Sequence, residues 1–218
     1  VSGENNTAVG KEALTSLTSG SSNIGVGSSS LGSNTSGSEN TACGRSSLFT
    51  NTTGDQNTAL GRLALNANTT ASNNTAIGYY SLGLNTTGTN NTAVGSDSLK
   101  SNTTADDNTA LGRSALFANT TGASNTGIGR LALNANTTAS NNTAVGKSAL
   151  AVNTTGSTNT AVGASAGVAL TTGSNTVAVG SYAAQNLTTG SNNTAVGNAT
   201  LGATGNTVTV TNGKYRLL

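Results

Sequence analysis

The chain has 218 residues, 29 of them glycine, with no proline, methionine, tryptophan or histidine and with only 7% charged residues. The net charge of +2 is too small for the basic field that attracts nucleic acid or anionic lipid, so we expect no nucleic-acid partner. No run of residues approaches the ~18 apolar residues that cross a bilayer, so we expect no membrane insertion in this segment.

The glycines reveal an internal repeat. A glycine occurs at every seventeenth residue from Gly10 to Gly197, twelve in all, without insertion or deletion. The consensus is N-T-A-[VIL]-G-x-x-[SA]-L-x-x-N-T-T-G-x-x, and we number its positions 1 to 17, so that Asn6 is position 1 and Gly10 is position 5. Units this short cannot bury a core alone, so they are expected to stack as the coils of a solenoid.

Positions 2 to 4 of each repeat predict a short strand. Position 4 always holds a medium-sized apolar residue, and position 2 holds Thr in ten of the twelve repeats. Alternate residues of a strand share a face, so we expect positions 2 and 4 to point inward, opposite a wall of Leu from position 9. The sequence predicts an all-β, parallel β-solenoid (a β-roll or β-helix) of about twelve coils over residues 1–205.

Position 3 carries only Ala or Gly and is expected to point outward. Exposed strand positions do not ordinarily exclude large side chains, so this column suggests that another backbone packs against it. We therefore predict a subunit interface here, with a tight turn that excludes bulk as the alternative explanation. The predicted interface residues are Ala8, Ala42, Ala59, Ala76, Ala93, Ala110, Ala144, Ala161, Ala178 and Ala195.

Asn and Gly mark the corners of the coils. The Asn-Thr-Thr-Gly segment suits bends, and stacked Asn side chains hydrogen-bond along a solenoid axis. The same segment creates N-x-[ST] glycosylation sequences, but we favour a structural ladder because the Asn recurs where the turn needs it. These residues are Asn51, Asn68, Asn85, Asn102, Asn119, Asn136 and Asn153.

The repeat breaks down after Leu201. Val208, Val210 and the Asn212-Gly213 pair are typical of a closing strand and a hairpin turn. We expect residues 206–218 to form a C-terminal cap or to begin a following domain.

Charged residues occupy fixed positions in the repeat. Position 6 carries six of the nine basic residues, while Glu39, Asp55, Asp106 and Asp107 lie at positions 16 or 17, near the other end of the same strand. The alternatives are a surface-binding edge, cross-subunit salt bridges, or a solvated edge that keeps the protein soluble. The candidate surface-binding edge, called the basic edge below, consists of Lys11, Arg45, Arg62, Arg113, Arg130 and Lys147.

The residue types disfavour catalysis. Without histidine there is no ordinary triad base, and the single thiol, Cys43, is expected to be a buried substitute for Val in the position 4 column. Only Asp106 and Asp107 are adjacent acids. We expect no catalytic residues, no metal site and no cofactor, and we do not expect an enzyme.

The segment NNTAVGKSAL (residues 141–150) followed by AVNTTGSTNTAVG (residues 151–163) resembles repeats of bacterial and phage tail-fibre-domain proteins over nearly the whole chain. Its A-[VI]-G core is also similar to the shorter head repeats of trimeric autotransporter adhesins. The resemblance implies a homotrimer that attaches to a host-surface glycan or protein. It also implies an extracellular location, at a cell surface or in a virion tail fibre.

Two functions follow from these patterns. The first is a structural fibre shaft or adhesin segment that mediates attachment to a cell surface or glycan receptor. The alternative is an ice-binding (antifreeze) β-solenoid, in which regularly spaced Thr side chains would match the ice lattice. Candidates for that array are the position 13 residues Thr52, Thr69, Thr86, Thr103 and Thr120.

Overall fold

A computed structural model of the protein describes residues 2–200. The predicted cap or following domain, residues 206–218, lies outside the described residues, as do residues 201–205 of the predicted solenoid. No helix in the described part of the chain is long and apolar enough to cross a membrane.

Twelve three-residue strands form one parallel sheet in sequence order, and each strand pairs with the next at an offset of 17 residues. The predicted parallel β-solenoid with 17-residue turns is therefore confirmed. The strands are β1 Thr7–Val9, β2 Ile24–Val26, β3 Thr41–Cys43, β4 Thr58–Leu60, β5 Thr75–Ile77, β6 Thr92–Val94, β7 Thr109–Leu111, β8 Thr126–Ile128, β9 Thr143–Val145, β10 Thr160–Val162, β11 Val177–Val179 and β12 Thr194–Val196.

Hydrogen bonds between coils continue around the corners. The Thr92 amide donates to the Asn108 carbonyl at 2.8 Å, and at the corner the Thr86 amide donates to the Thr103 carbonyl at 2.8 Å. Each coil thereby satisfies the backbone groups of its neighbour. The sheet is only the most regular part of a ladder that runs along most of the coil.

The core is thin and made of Leu and Ala. Position 9 supplies fully buried side chains such as Leu82, Leu99 and Leu116, and position 3 supplies Ala93 and Ala110, which are also fully buried. The interior opposite the Leu wall is narrow, and at most coils it holds only the methyl group of an Ala at position 3. At Gly25 even a Cβ would be crowded, because it would lie 2.9 Å from the Ser30 hydroxyl oxygen and 3.3 Å from Leu14 Cγ.

The strands therefore face the opposite way from our prediction. Position 3 points inward and positions 2 and 4 point outward, because the Leu side chains already fill the interior and only a small residue fits against them. The subunit interface inferred at position 3 thus loses its basis. Of the predicted residues only Ala8, in the first coil, is exposed. The others are buried in the core of their own chain, namely Ala42, Ala59, Ala76, Ala93, Ala110, Ala144, Ala161, Ala178 and Ala195.

The backbone that approaches the small residues belongs to the same chain. Gly95 at position 5 has φ of +129°, and an added Cβ would lie 2.7 Å from the carbonyl carbon of Gly112 in the next coil. Both the left-handed conformation and this approach exclude larger residues. The glycine column thus records the stacking of coils.

Two ladders of buried Asn support the corners, as predicted. At position 12, Asn102 Nδ2 donates to Asn85 Oδ1 at 2.9 Å and to the Ala105 carbonyl at 2.9 Å. This ladder ends where Leu170 replaces Asn, and Asn153 Oδ1 accordingly has no hydrogen-bond partner among the described residues. The position 12 Asn side chains are fully buried, so they offer no acceptor for a glycan in the folded protein.

The Leu ladder should dominate stability. We expect Leu99→Ala to lower the free energy of unfolding by about 2 to 5 kcal/mol, because the thin core cannot collapse around the lost side chain. Equilibrium urea unfolding followed by circular dichroism measures this change. Thr104→Ala, at an exposed corner position, is the matched control and should change it by less than about 0.5 kcal/mol. Equal losses in the two variants would contradict the assigned core.

Candidate functional site

The outward side of the sheet is the most distinctive surface of the molecule. We call it the outer sheet face, and it consists of the side chains at positions 2 and 4 of strands β1 to β12. Position 2 forms a column of Thr, interrupted by Ile24 and Val177, and position 4 forms a parallel column of Val, Leu, Ile and one Cys. Twelve strands spaced ~4.8 Å apart make these columns roughly 50 Å long.

The position 4 column is apolar and accessible to water in the single chain. Ile77, Leu111 and Val162 expose 37%, 46% and 39% of their surface, whereas the Ala residues beside them expose none. Soluble monomers seldom expose a contiguous apolar strip of this length, and such strips mark sites of interaction.

Cys43 belongs to this outer column. It is exposed and forms no disulfide, so the prediction of a buried thiol is wrong. The reason is the same reversal of the strand, which turns position 4 of every coil outward. Cys43 does substitute for Val, but on the outer sheet face between Val26 and Leu60.

The basic edge borders the outer sheet face and all six of its residues are exposed. Within residues 2–200, only Lys11 of this set has a carboxylate within 4 Å, that of Glu12 at 3.5 Å. The Arg62 guanidinium carbon lies 5.6 Å from the ring centroid of Tyr79. The structure therefore leaves this edge open to solvent and does not bring the acidic residues of positions 16 and 17 to it.

A cluster of aromatic and charged residues, missed in the sequence, lies on coils five to seven. Lys100 Nζ lies 4.6 Å from the ring centroid of Tyr80 and 5.4 Å from that of Phe117. The same amine lies 3.1 Å from Asp97 Oδ1. The signal was available, because positions 7 and 10 of successive coils share one side of the solenoid. These contacts occupy Lys100 within its own chain.

Cavities and clustered acidic residues are the features that would indicate chemistry on a small molecule. A shallow cavity of about 240 Å³, lined by Glu12, Gly32 and Phe49, is smaller than most ligand pockets. Among residues 2–200, no three His, Cys, Asp or Glu side chains are placed to hold a metal ion. Asp106 instead uses Oδ1 to accept hydrogen bonds from the Thr89 amide and hydroxyl groups.

The Thr column at position 13 is tied to the backbone. The Thr52 hydroxyl donates to the Thr69 carbonyl at 3.0 Å, and the Thr86 hydroxyl donates to the Thr103 carbonyl at 2.9 Å. These corner hydroxyls stabilise coil stacking, so they do not form the free array expected for ice binding.

No protein-family model matches the chain, and neither a curated protein nor a solved structure is significantly similar to it. The resemblance to tail-fibre and adhesin repeats therefore stays a prediction from the motif.

Proposed function

We propose that the protein is a structural fibre shaft or adhesin segment and not an enzyme, and that it assembles as a parallel homotrimer through the outer sheet face. It would act outside the cell, at a cell surface or in a virion tail fibre. There it would help to attach its carrier to a glycan or protein receptor.

The observation that carries this proposal is the apolar column at position 4, whose side chains are exposed or half-buried but never fully buried. Apolar surface removed from water contributes about 25 cal/mol per Å², and this column offers such surface at every one of twelve levels. A second copy of the chain presents the same strip with the same spacing over the same length. Self-association therefore covers the strip more completely than an irregular partner would.

The width of the face favours three copies. Packed sheets lie ~10 Å apart, so each sheet would lie about 5 Å from a shared axis. Three sheets at that distance enclose a triangular prism with sides of roughly 17 Å, or about five extended residues. Positions 1 to 5, which hold the strand and one residue on either side, match that length.

A trimer of this kind would be a rod that leaves the corners exposed. The described coils give it a length of roughly 50 Å, and its interior is closed to solvent by Leu, Ala and Asn ladders. Such a rod extends or presents a binding tip, and the exposed basic edge is the candidate surface for a receptor.

The mass of the native particle tests the assembly. Light scattering after size exclusion should give three chains, and Val94→Lys should give single chains with an unchanged circular dichroism spectrum, because Val94 lies on the outer sheet face. Thr104→Lys, at an exposed corner position, is the control and should stay trimeric. A wild-type monomer across the concentrations tested would refute the proposal.

Ice binding is the second candidate, and one observation favours it. The position 2 Thr side chains stand on the outer sheet face in register, ~4.8 Å apart. The neighbouring column, however, mixes residues of different size, such as Leu60, Ile77 and Val94, which does not suit a flat lattice.

An ice-shaping assay separates the two candidates. The fibre proposal predicts that ice crystals grow in the protein solution with the same shape as in buffer, whether the protein is monomeric or trimeric. Hexagonal faceting that disappears in Thr109→Tyr but persists in Thr104→Tyr would establish ice binding at the outer sheet face instead.

A further inference from the structure

Two columns of opposite charge flank the outer sheet face. The basic edge follows the strands at position 6, and an acidic edge precedes them at positions 16 and 17. The acidic edge consists of Glu4, Glu39, Asp55, Asp106 and Asp107.

The two edges are matched strand by strand. Strands β1, β3, β4 and β7 are the four that acidic residues precede, and each of these four is also followed by a basic residue. Only six of the twelve strands are followed by a basic residue at all. The pairs are Glu4 with Lys11, Glu39 with Arg45, Asp55 with Arg62, and Asp106 and Asp107 with Arg113.

These matched charges do not meet within one chain. The strand and its flanking residues separate Glu39 from Arg45 by six residues, up to about 20 Å of extended chain. The ion pairs that the structure shows within residues 2–200 are Lys11 with Glu12 and Lys100 with Asp97, and neither joins the two edges.

Cyclic symmetry about an axis parallel to the solenoid brings the edges together. Such symmetry keeps all copies at the same height and sets one side of each copy against the other side of its neighbour. The acid before a strand then faces the base after the same strand of the next copy. All four acidic strands find a basic partner in this register, whereas any other axial shift of parallel copies matches no more than two of them.

The acidic edge is not explained by a structural need for hydrogen-bond acceptors, as position 16 shows. Asp55 Oδ1 accepts a hydrogen bond from the Ser38 amide at 2.7 Å, but Ser38 Oγ does the same for the Ser21 amide at 3.1 Å. A neutral serine therefore suffices at position 16. Glu39 and Asp107, at position 17, are exposed. Glu39 Oε2 accepts a hydrogen bond from Gln56 Nε2 of the next coil at 2.9 Å, but in the described part of the chain neither carboxylate accepts one from a backbone amide.

We propose that strand-matched ion pairs between neighbouring copies set a parallel, unstaggered register for the assembly. This inference rests on the proposed self-association through the outer sheet face, and it adds the direction and height at which the copies meet. Arg130 and Lys147 follow strands that no acidic residue precedes, so in this register they are the two residues of the basic edge that remain for contact with a receptor.

Charge reversal on one strand tests the register. At low ionic strength, Arg45→Glu should lower the temperature at which the particle dissociates by about 5 °C or more, because three attractive pairs become repulsive. Adding Glu39→Arg, on the same strand, should restore the wild-type temperature. Light scattering during heating measures dissociation, and ~1 M salt should shrink the differences.

The matched control places the compensating charge on another strand. The variant Arg45→Glu with Asp107→Arg has the same net charge as Arg45→Glu with Glu39→Arg. It should nevertheless dissociate at or below the temperature at which Arg45→Glu alone dissociates. Lys147→Glu, on a strand without an acid, should stay close to the wild type. Equal recovery in both double variants, or no effect of Arg45→Glu on an intact trimer, would overturn the register. A wild-type monomer would instead overturn the proposed function.

Discussion

The stacking of one coil on the next, with backbones in contact through most of the turn, is the constraint on which the structure depends. It requires Gly at position 5, where the next backbone comes within 2.7 Å of an added Cβ. It also places equivalent residues directly above one another, so that Asn102 meets Asn85 and Leu99 meets its equivalents. A single favourable side chain is repeated at every level and becomes a ladder.

The same constraint decides what the outside of the molecule offers. Leu at position 9 adopts a left-handed backbone, with φ of 49° at Leu99, which costs roughly 1 to 2 kcal/mol. Burial of the side chain, worth about 1.5 to 3 kcal/mol, offsets that strain. Because Leu fills the interior from this side, the strand opposite can contribute only Ala or Gly. Its larger apolar residues are left on the surface, where another molecule can use them.

The sequence was sufficient for the period, the strands, the Leu wall and the Asn ladders, since each follows from spacing alone. It was insufficient for the facing of the strand. Alternation places Ala93 and Val94 on opposite faces but does not say which face is inside. The usual preference for larger apolar residues in cores gave the wrong answer, because the available volume depends on Leu99, which is distant in the repeat.

The position of the candidate site changed for the same reason. Moving position 4 outward transfers the expected interface from the Ala column to the aliphatic column and exposes Cys43. The charged residues at positions 6, 16 and 17 then flank the outer sheet face, through which we propose that the chains associate. The acidic and basic residues that flank the same strand can pair between copies only because positions 2 and 4 of that strand face outward, where another copy can approach.

Cys43 allows the central claim to be tested with the natural sequence. If outer sheet faces surround a common axis, the three Cys43 thiols lie at one height inside the particle, and with each sheet about 5 Å from the axis their Cα atoms are roughly 9 Å or more apart, too far for a direct disulfide. In the native particle these thiols should therefore react slowly with a bulky thiol reagent such as Ellman's reagent, whereas in the dissociated Val94→Lys variant they should react rapidly. Rapid labelling of Cys43 in a particle with the mass of three chains would contradict the account.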